Sequence, residues 1–107
     1  MKGITLSIYI KIRKINEKED GKIYYEVLTQ DFGGAHFYFC IDQQNKKLLF
    51  FKENDFSAVI KIIDLIQLDQ PLGFLDHIDH KLYARVVMKA VKAFQDNNFL
   101  DDLDYCA

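Results

Sequence analysis

The chain is 107 residues long, half of them apolar and 14% aromatic, a content that excludes intrinsic disorder and suffices for one buried core without disulfide or metal staples. A formal net charge of -2 excludes a protein whose main task is to coat nucleic acid or an acidic membrane, because those tasks show as global positive charge. No apolar run approaches the roughly 20 residues that a membrane span needs, so no membrane role is expected.

From Ile4 to Ile12 every even position is apolar (Ile4, Leu6, Ile8, Ile10, Ile12), which is the period of a strand with one buried face. Lys11, Arg13 and Lys14 interrupt any export-signal core, and two unspaced cysteines, Cys40 and Cys106, read as reduced thiols, so a cytoplasmic location is expected. Asn16 to Lys22 closes on Asp20-Gly21, a pair suited to a hairpin turn. Lys22 to Gln30 then resumes in strand-favouring residues, with Ile23, Tyr25 and Val27 on one side and Tyr24, Glu26 and Leu28 on the other.

Gly33-Gly34 marks the next turn, and Ala35 to Asp42 alternates Phe37, Phe39 and Ile41 with His36, Tyr38 and Cys40. Leu48 to Glu53 is a fourth strand whose first four residues are apolar on both faces. Such a strand is either covered twice or completes an interface with a second copy, giving a homodimer through Leu48 to Phe51. Phe56 to Leu68 is rich in β-branched residues, but Ser57, Lys61 and Asp64 recur at steps of four and three, so a mostly buried helix is expected there, ended by Gln70-Pro71-Leu72-Gly73.

The last helix is expected over Asp79 to Asn98, with Asp79 or Asp76 as its N-cap. Tyr83, Val86, Val87, Ala90, Val91 and Phe94 lie along one stripe and Lys81, Arg85, Lys89 and Lys92 along the other. The expected architecture is therefore one α+β domain over residues 1–107, a four-stranded antiparallel meander followed by two helices on one face, with a short acidic tail from about residue 101.

Four groups of residues bear on function. Asp76, His77, Asp79 and His80 put two imidazoles at i and i+3 beside carboxylates, a spacing that suits a divalent metal or an oriented base. The pattern is weak without a further ligand, so no catalytic residue, cofactor or metal is assigned, and His77 and His80 stay as the metal-binding or hydrolytic alternative. The Lys81, Arg85, Lys89 and Lys92 ladder reads as a solvated helix face, with a nucleic-acid-binding domain as the second alternative. An acidic patch of Asp96, Asp101, Asp102 and Asp104 is complementary to a basic cleft. The sheet face turned from the helices carries Tyr9, Lys11, Arg13, Tyr24, Glu26, His36 and Tyr38, a mixture of aromatic and charged side chains that protein-binding surfaces use. The sequence points away from an enzyme and towards a small cytoplasmic protein-binding module, with an immunity-type protein that neutralises a toxin as one instance.

Overall fold

The computed structural model describes residues 9–30, 34–53, 56, 58–67, 73, 75 and 78–106. Five antiparallel strands follow in chain order: β1 (Tyr9–Glu17), β2 (Lys22–Leu28), β3 (His36–Asp42), β4 (Lys47–Phe51) and β5 (Val59–Asp64). Among the described residues one helix, α1 (His80–Gln95), and a two-residue strand, β6 (Tyr105–Cys106), complete them, and the sheet order is β5-β4-β3-β2-β1-β6. The α+β class and an antiparallel sheet are as expected, but the meander has five strands where four were expected. The second helix is not.

Phe56 to Leu68 was expected to be helical, and the structure corrects this with a strand over Val59–Asp64. In this strand Lys61 and Asp64, which a helix would have set on one stripe, fall on opposite faces. Asp64 pairs with Lys47 in register, while Lys61 sits opposite Phe50 on the helix side. A shift of register between Phe50 and Phe51 absorbs the broken alternation, and β4 supplies hydrogen bonds that a run of Val and Ile accepts more readily than a helix would.

The main core lies between the sheet and α1. Ile10 and Ile12 of β1, Ile23, Tyr25 and Val27 of β2, Phe37, Phe39 and Ile41 of β3, and Leu48 and Phe50 of β4 are all buried, as their alternation predicts. Ile4, Leu6 and Ile8 lie outside the described residues. On α1 the buried set is Leu82, Tyr83, Val86, Val87, Ala90 and Ala93, while Val91 and Phe94 pack only partly against it. The stripe is thus turned slightly from the one read off the sequence, bringing Leu82 and Ala93 inward. Phe50 joins the layers: its ring meets Tyr83 edge-on at 5.2 Å and Phe39 at 6.1 Å.

Asp79 caps α1 by accepting from the backbone N–H groups of Lys81 at 2.8 Å and Leu82 at 3.4 Å. Asn97, at φ 50°, reverses the chain beyond the helix. The chain then crosses the edge of β1. The Tyr25 hydroxyl donates to the Leu100 carbonyl at 2.7 Å, Lys14 N–H to Asp101 O at 2.7 Å, and Leu103 N–H to Ile12 O at 2.8 Å. Leu103 is buried, and β6 pairs with Tyr9 and Ile10.

Across the other face, the register lines up side chains in rungs. Lys22, Asp42, Lys47 and Asp64 stand side by side on four successive strands, alternating in sign. The next rung is Tyr24, Cys40, Leu49 and Ile62, and the one after it Arg13, Glu26, Tyr38, Phe51 and Val59.

Candidate recognition surface

The sheet face turned from α1 is not uniformly open. Tyr38, Cys40 and Phe51 are buried there, and Tyr24, Leu49 and Phe56 pack around them as a second small core. Phe56 adopts a left-handed backbone at φ 56° and lays its ring 4.4 Å from Tyr24 and 5.2 Å from Phe51. Burial pushes the Cys40 thiol up to about 12, which makes it packing rather than a nucleophile at neutral pH. Tyr24 and Tyr38 therefore belong to this small core, although both were expected on an exposed binding face.

The same burial covers most of the strand expected to form a homodimer surface. β4 lies inside the sheet between β3 and β5, with Leu48 and Phe50 in the main core and Phe51 in the second. Of the two alternatives for a strand apolar on both faces, the structure takes the first: Leu48 to Phe51 is covered twice.

This face is accessible at both edges: Val59 and Ile62 of β5 are exposed at one, and at the other lies the corner made by β1, β2 and the start of β3, where the expected binding residues sit. His36 Nε2–H donates to Glu26 Oε2 at 2.9 Å; the proton must sit on that nitrogen, because it faces a carboxylate. The Tyr38 hydroxyl oxygen is 3.1 Å from the same nitrogen. Arg13 donates to the other oxygen of Glu26 at 3.2 Å. Three strands thus place Arg13, Glu26, His36 and Tyr38 in one cross-strand network, and both oxygens of the carboxylate are used. The His36 hydrogen bond and the Arg13 guanidinium hold the Glu26 carboxyl below its ordinary value, against the opposing effect of burial.

Beside the network, Lys11, Leu28 and His36 form a rung of their own, and Leu28 is 45% exposed. A groove of about 290 Å³ lies against it, lined by Tyr9, Lys11, Leu28, Thr29 and Gln30. Of the residues expected on this face, the structure brings Tyr9, Lys11, Arg13, Glu26 and His36 together. Leu28 was read as the same side of β2 but not as part of the surface; only the register, which sets it between Lys11 and His36, gives it that place.

No family model, curated protein or solved structure matches this chain. Its chemistry therefore has to be read from its own side chains.

The four aspartates of the expected acidic patch are divided. Asp96 pairs with Lys92 at 3.2 Å and Asp101 with Lys14 at 3.5 Å. Asp104 accepts from Ile12 N–H at 2.8 Å and from the Tyr9 hydroxyl, and Asp102 bridges to Arg13 through the backbone. Asp96, Asp102 and Asp104 do share a cavity of about 300 Å³, but Lys89 and Lys92 line it too, so its charge is mixed. On α1, Lys81 and Lys92 are exposed, while Arg85 is half-buried and donates back to the Lys81 carbonyl at 3.2 Å.

Of the expected histidine cluster, Asp76 and His77 lie outside the described residues. Asp79 is occupied as the helix cap, and the exposed His80 ring sits 6.5 Å from Tyr83. Among the described residues no group of three His, Cys, Asp or Glu side chains converges to hold a metal ion, and no helix is long and apolar enough to cross a membrane.

Proposed function

We propose that this chain is a small protein-binding module acting by surface recognition in the cytoplasm, of which an immunity-type inhibitor that neutralises a toxin is one natural form. The observation that carries the reading is the β1–β2–β3 corner. There a cross-strand network fixes Arg13, Glu26 and His36 beside exposed Tyr9 and Leu28.

Side chains already held by the sheet lose little entropy when a partner arrives, so the contact keeps more of its energy. The mixture of Tyr, Arg and one exposed aliphatic, with a charged border, is the composition from which protein interfaces draw their strongest contacts. Cys40 is buried with its proton held, which makes it a packing residue rather than an activated nucleophile.

A photo-cross-linking amino acid at position 28, compared in cells with one at position 88 on the exposed side of α1, tests the reading. Met88 is 60% exposed and so equally able to react. Specific adducts from position 28, lost when Arg13→Glu is added, are expected. Adducts arising only from position 88 would reject the sheet corner as the binding surface.

A further inference from the structure

The sheet closes one of its edges and leaves the other bare. Along β1 runs the C-terminal segment, with Lys14 N–H on Asp101 O, Leu103 N–H on Ile12 O and β6 beside Tyr9 and Ile10. On the far side β5 is the last strand, and among the described residues nothing pairs with its outer edge. Leu65 N–H donates to the Lys46 carbonyl at 3.0 Å, so by the alternation of an antiparallel ladder Ile63 also turns its backbone groups inward, while Ile62 and Asp64 turn theirs outward. An unpaired edge is a template for another strand, and proteins commonly blunt it with charge. Here Val59, Ile60, Ile62 and Ile66 are instead between 44% and 63% exposed.

Neither charge of β5 is turned to a partner. Asp64 is satisfied within its own chain, one carboxylate oxygen by Lys47 at 2.9 Å and the other by the N–H groups of Ile66 and Gln67. The Lys61 ammonium lies back against Gly73, where an added Cβ would stand 2.7 Å from it. The edge therefore asks for no charge, only for a short antiparallel strand of aliphatic side chains, and β5 is itself such a strand. We infer that its partner is a second copy of this chain: the two β5 strands pair antiparallel about a two-fold axis at Ile62, each Ile62 N–H donating to the Ile62 carbonyl of the other copy. A two-fold perpendicular to the sheet keeps every side chain on its own face. The row Tyr24, Cys40, Leu49 and Ile62 then runs on into Ile62 and Leu49 of the second copy, and Asp64 of each copy lies across from Ile60 of the other. Centring the axis on Lys61 or Asp64 would instead set like charges face to face.

The strand that carries this interface is β5 and not β4, which lies one place inside it. The join makes one continuous sheet with the two β1–β2–β3 corners on the same face at its outer ends. Taken with the recognition reading of that corner, the dimer offers two copies of it to a partner at once. The pairing itself does not depend on that reading.

The test is sedimentation of the full chain from about 10 μM to about 1 mM, beside lysine variants at two positions of like exposure, Ile62→Lys and Met88→Lys. The native chain and Met88→Lys are expected to share one monomer–dimer equilibrium. Ile62→Lys sets two cations face to face on the axis and is expected to weaken the dimer by at least about tenfold while keeping the native circular dichroism. On mild oxidation Ile62→Cys is expected to form a disulfide between copies at least about tenfold faster than Met88→Cys, because opposed residues of such a pair stand about 5.5 Å apart at Cα. A monomer at every concentration overturns the inference and leaves the edge to a strand of a different protein. A dimer that survives Ile62→Lys, or a bridge that forms no faster at position 62 than at position 88, puts the interface elsewhere and overturns it as well.

Discussion

Asp104 is the clasp by which the C-terminal segment holds β1, and its removal should be felt well beyond one residue. Its carboxylate accepts the backbone N–H of Ile12 at 2.8 Å and the Tyr9 hydroxyl. Ile12 is wholly buried, so Asp104→Ala strands a donor that water does not reach. An orphaned buried donor costs about 1–3 kcal/mol, and the lost Tyr9 bond about 1 kcal/mol more. The neighbouring anchors remain, namely Leu103 N–H on Ile12 O and the buried Leu103 side chain, so the segment loosens without detaching.

The expected loss is about 2–3 kcal/mol in urea denaturation, with a matching rise in amide hydrogen exchange at Ile12, Leu103 and Lys14 but not at β3 or β4. Asp104→Asn keeps an acceptor oxygen and should cost about 1 kcal/mol or less. A loss below about 0.5 kcal/mol for the alanine variant, or equal losses for alanine and asparagine, would refute the clasp.

Three further outcomes are expected. Phe50→Ala removes the ring that joins Phe39 and Tyr83 across the two layers and should cost about 3–5 kcal/mol by chemical denaturation, the range for a wholly buried aromatic. Glu26 has a folded value held below the ordinary 4.5, so the stability it lends is present above that pH and is lost as pH falls through the folded value. Glu26→Gln should therefore lower stability at neutral pH and flatten the acid limb of the stability curve, which thermal unfolding at a series of pH values will show. The Cys40 thiol, pushed up to about 12 in its buried site, should resist iodoacetamide at about pH 8 in the native state and react once denatured, as read by peptide mass spectrometry.

Much of the core was legible because it rests on periodicity alone. Ile10 and Ile12, the odd residues from Ile23 to Val27, the Phe37–Phe39–Ile41 set and the centre of the α1 stripe follow from alternation or helical spacing. What was hidden depends on partners distant in sequence. Val59 to Ile63 could be either element until β4 offered it an edge, and only the shift beside Phe50 reconciles its faces. Asp101 to Asp104 looked like a charged tail because nothing local says that Leu103 would be buried against Ile12.

The recognition corner divides the same way. That Arg13, Glu26 and His36 share a face could be read from parity within each strand, but that they touch needs the register of three strands. Phe56 carried no signal for its role, since a left-handed phenylalanine roofing Tyr24 and Phe51 has no local sequence cause.

The rung of Lys22, Asp42, Lys47 and Asp64 has a consequence for misfolding. Strands as uniformly apolar as β3 and β4 could slide past one another by two residues and still bury hydrophobic side chains, so their greasiness alone does not choose among alignments. The charges do. Sliding β4 by two places would set Lys47 against the buried Cys40, or Leu49 against Asp42, and either breaks the alternation of sign at once. The row acts as a gauge at one end of the sheet, worth little in any single pair yet charging a penalty at every wrong alignment. Lys22→Gln with Lys47→Gln, which leaves the buried Asp42 and its bonds to Asn45 in place, should change stability little while the protein refolds with more errors and exchanges strands between molecules more readily.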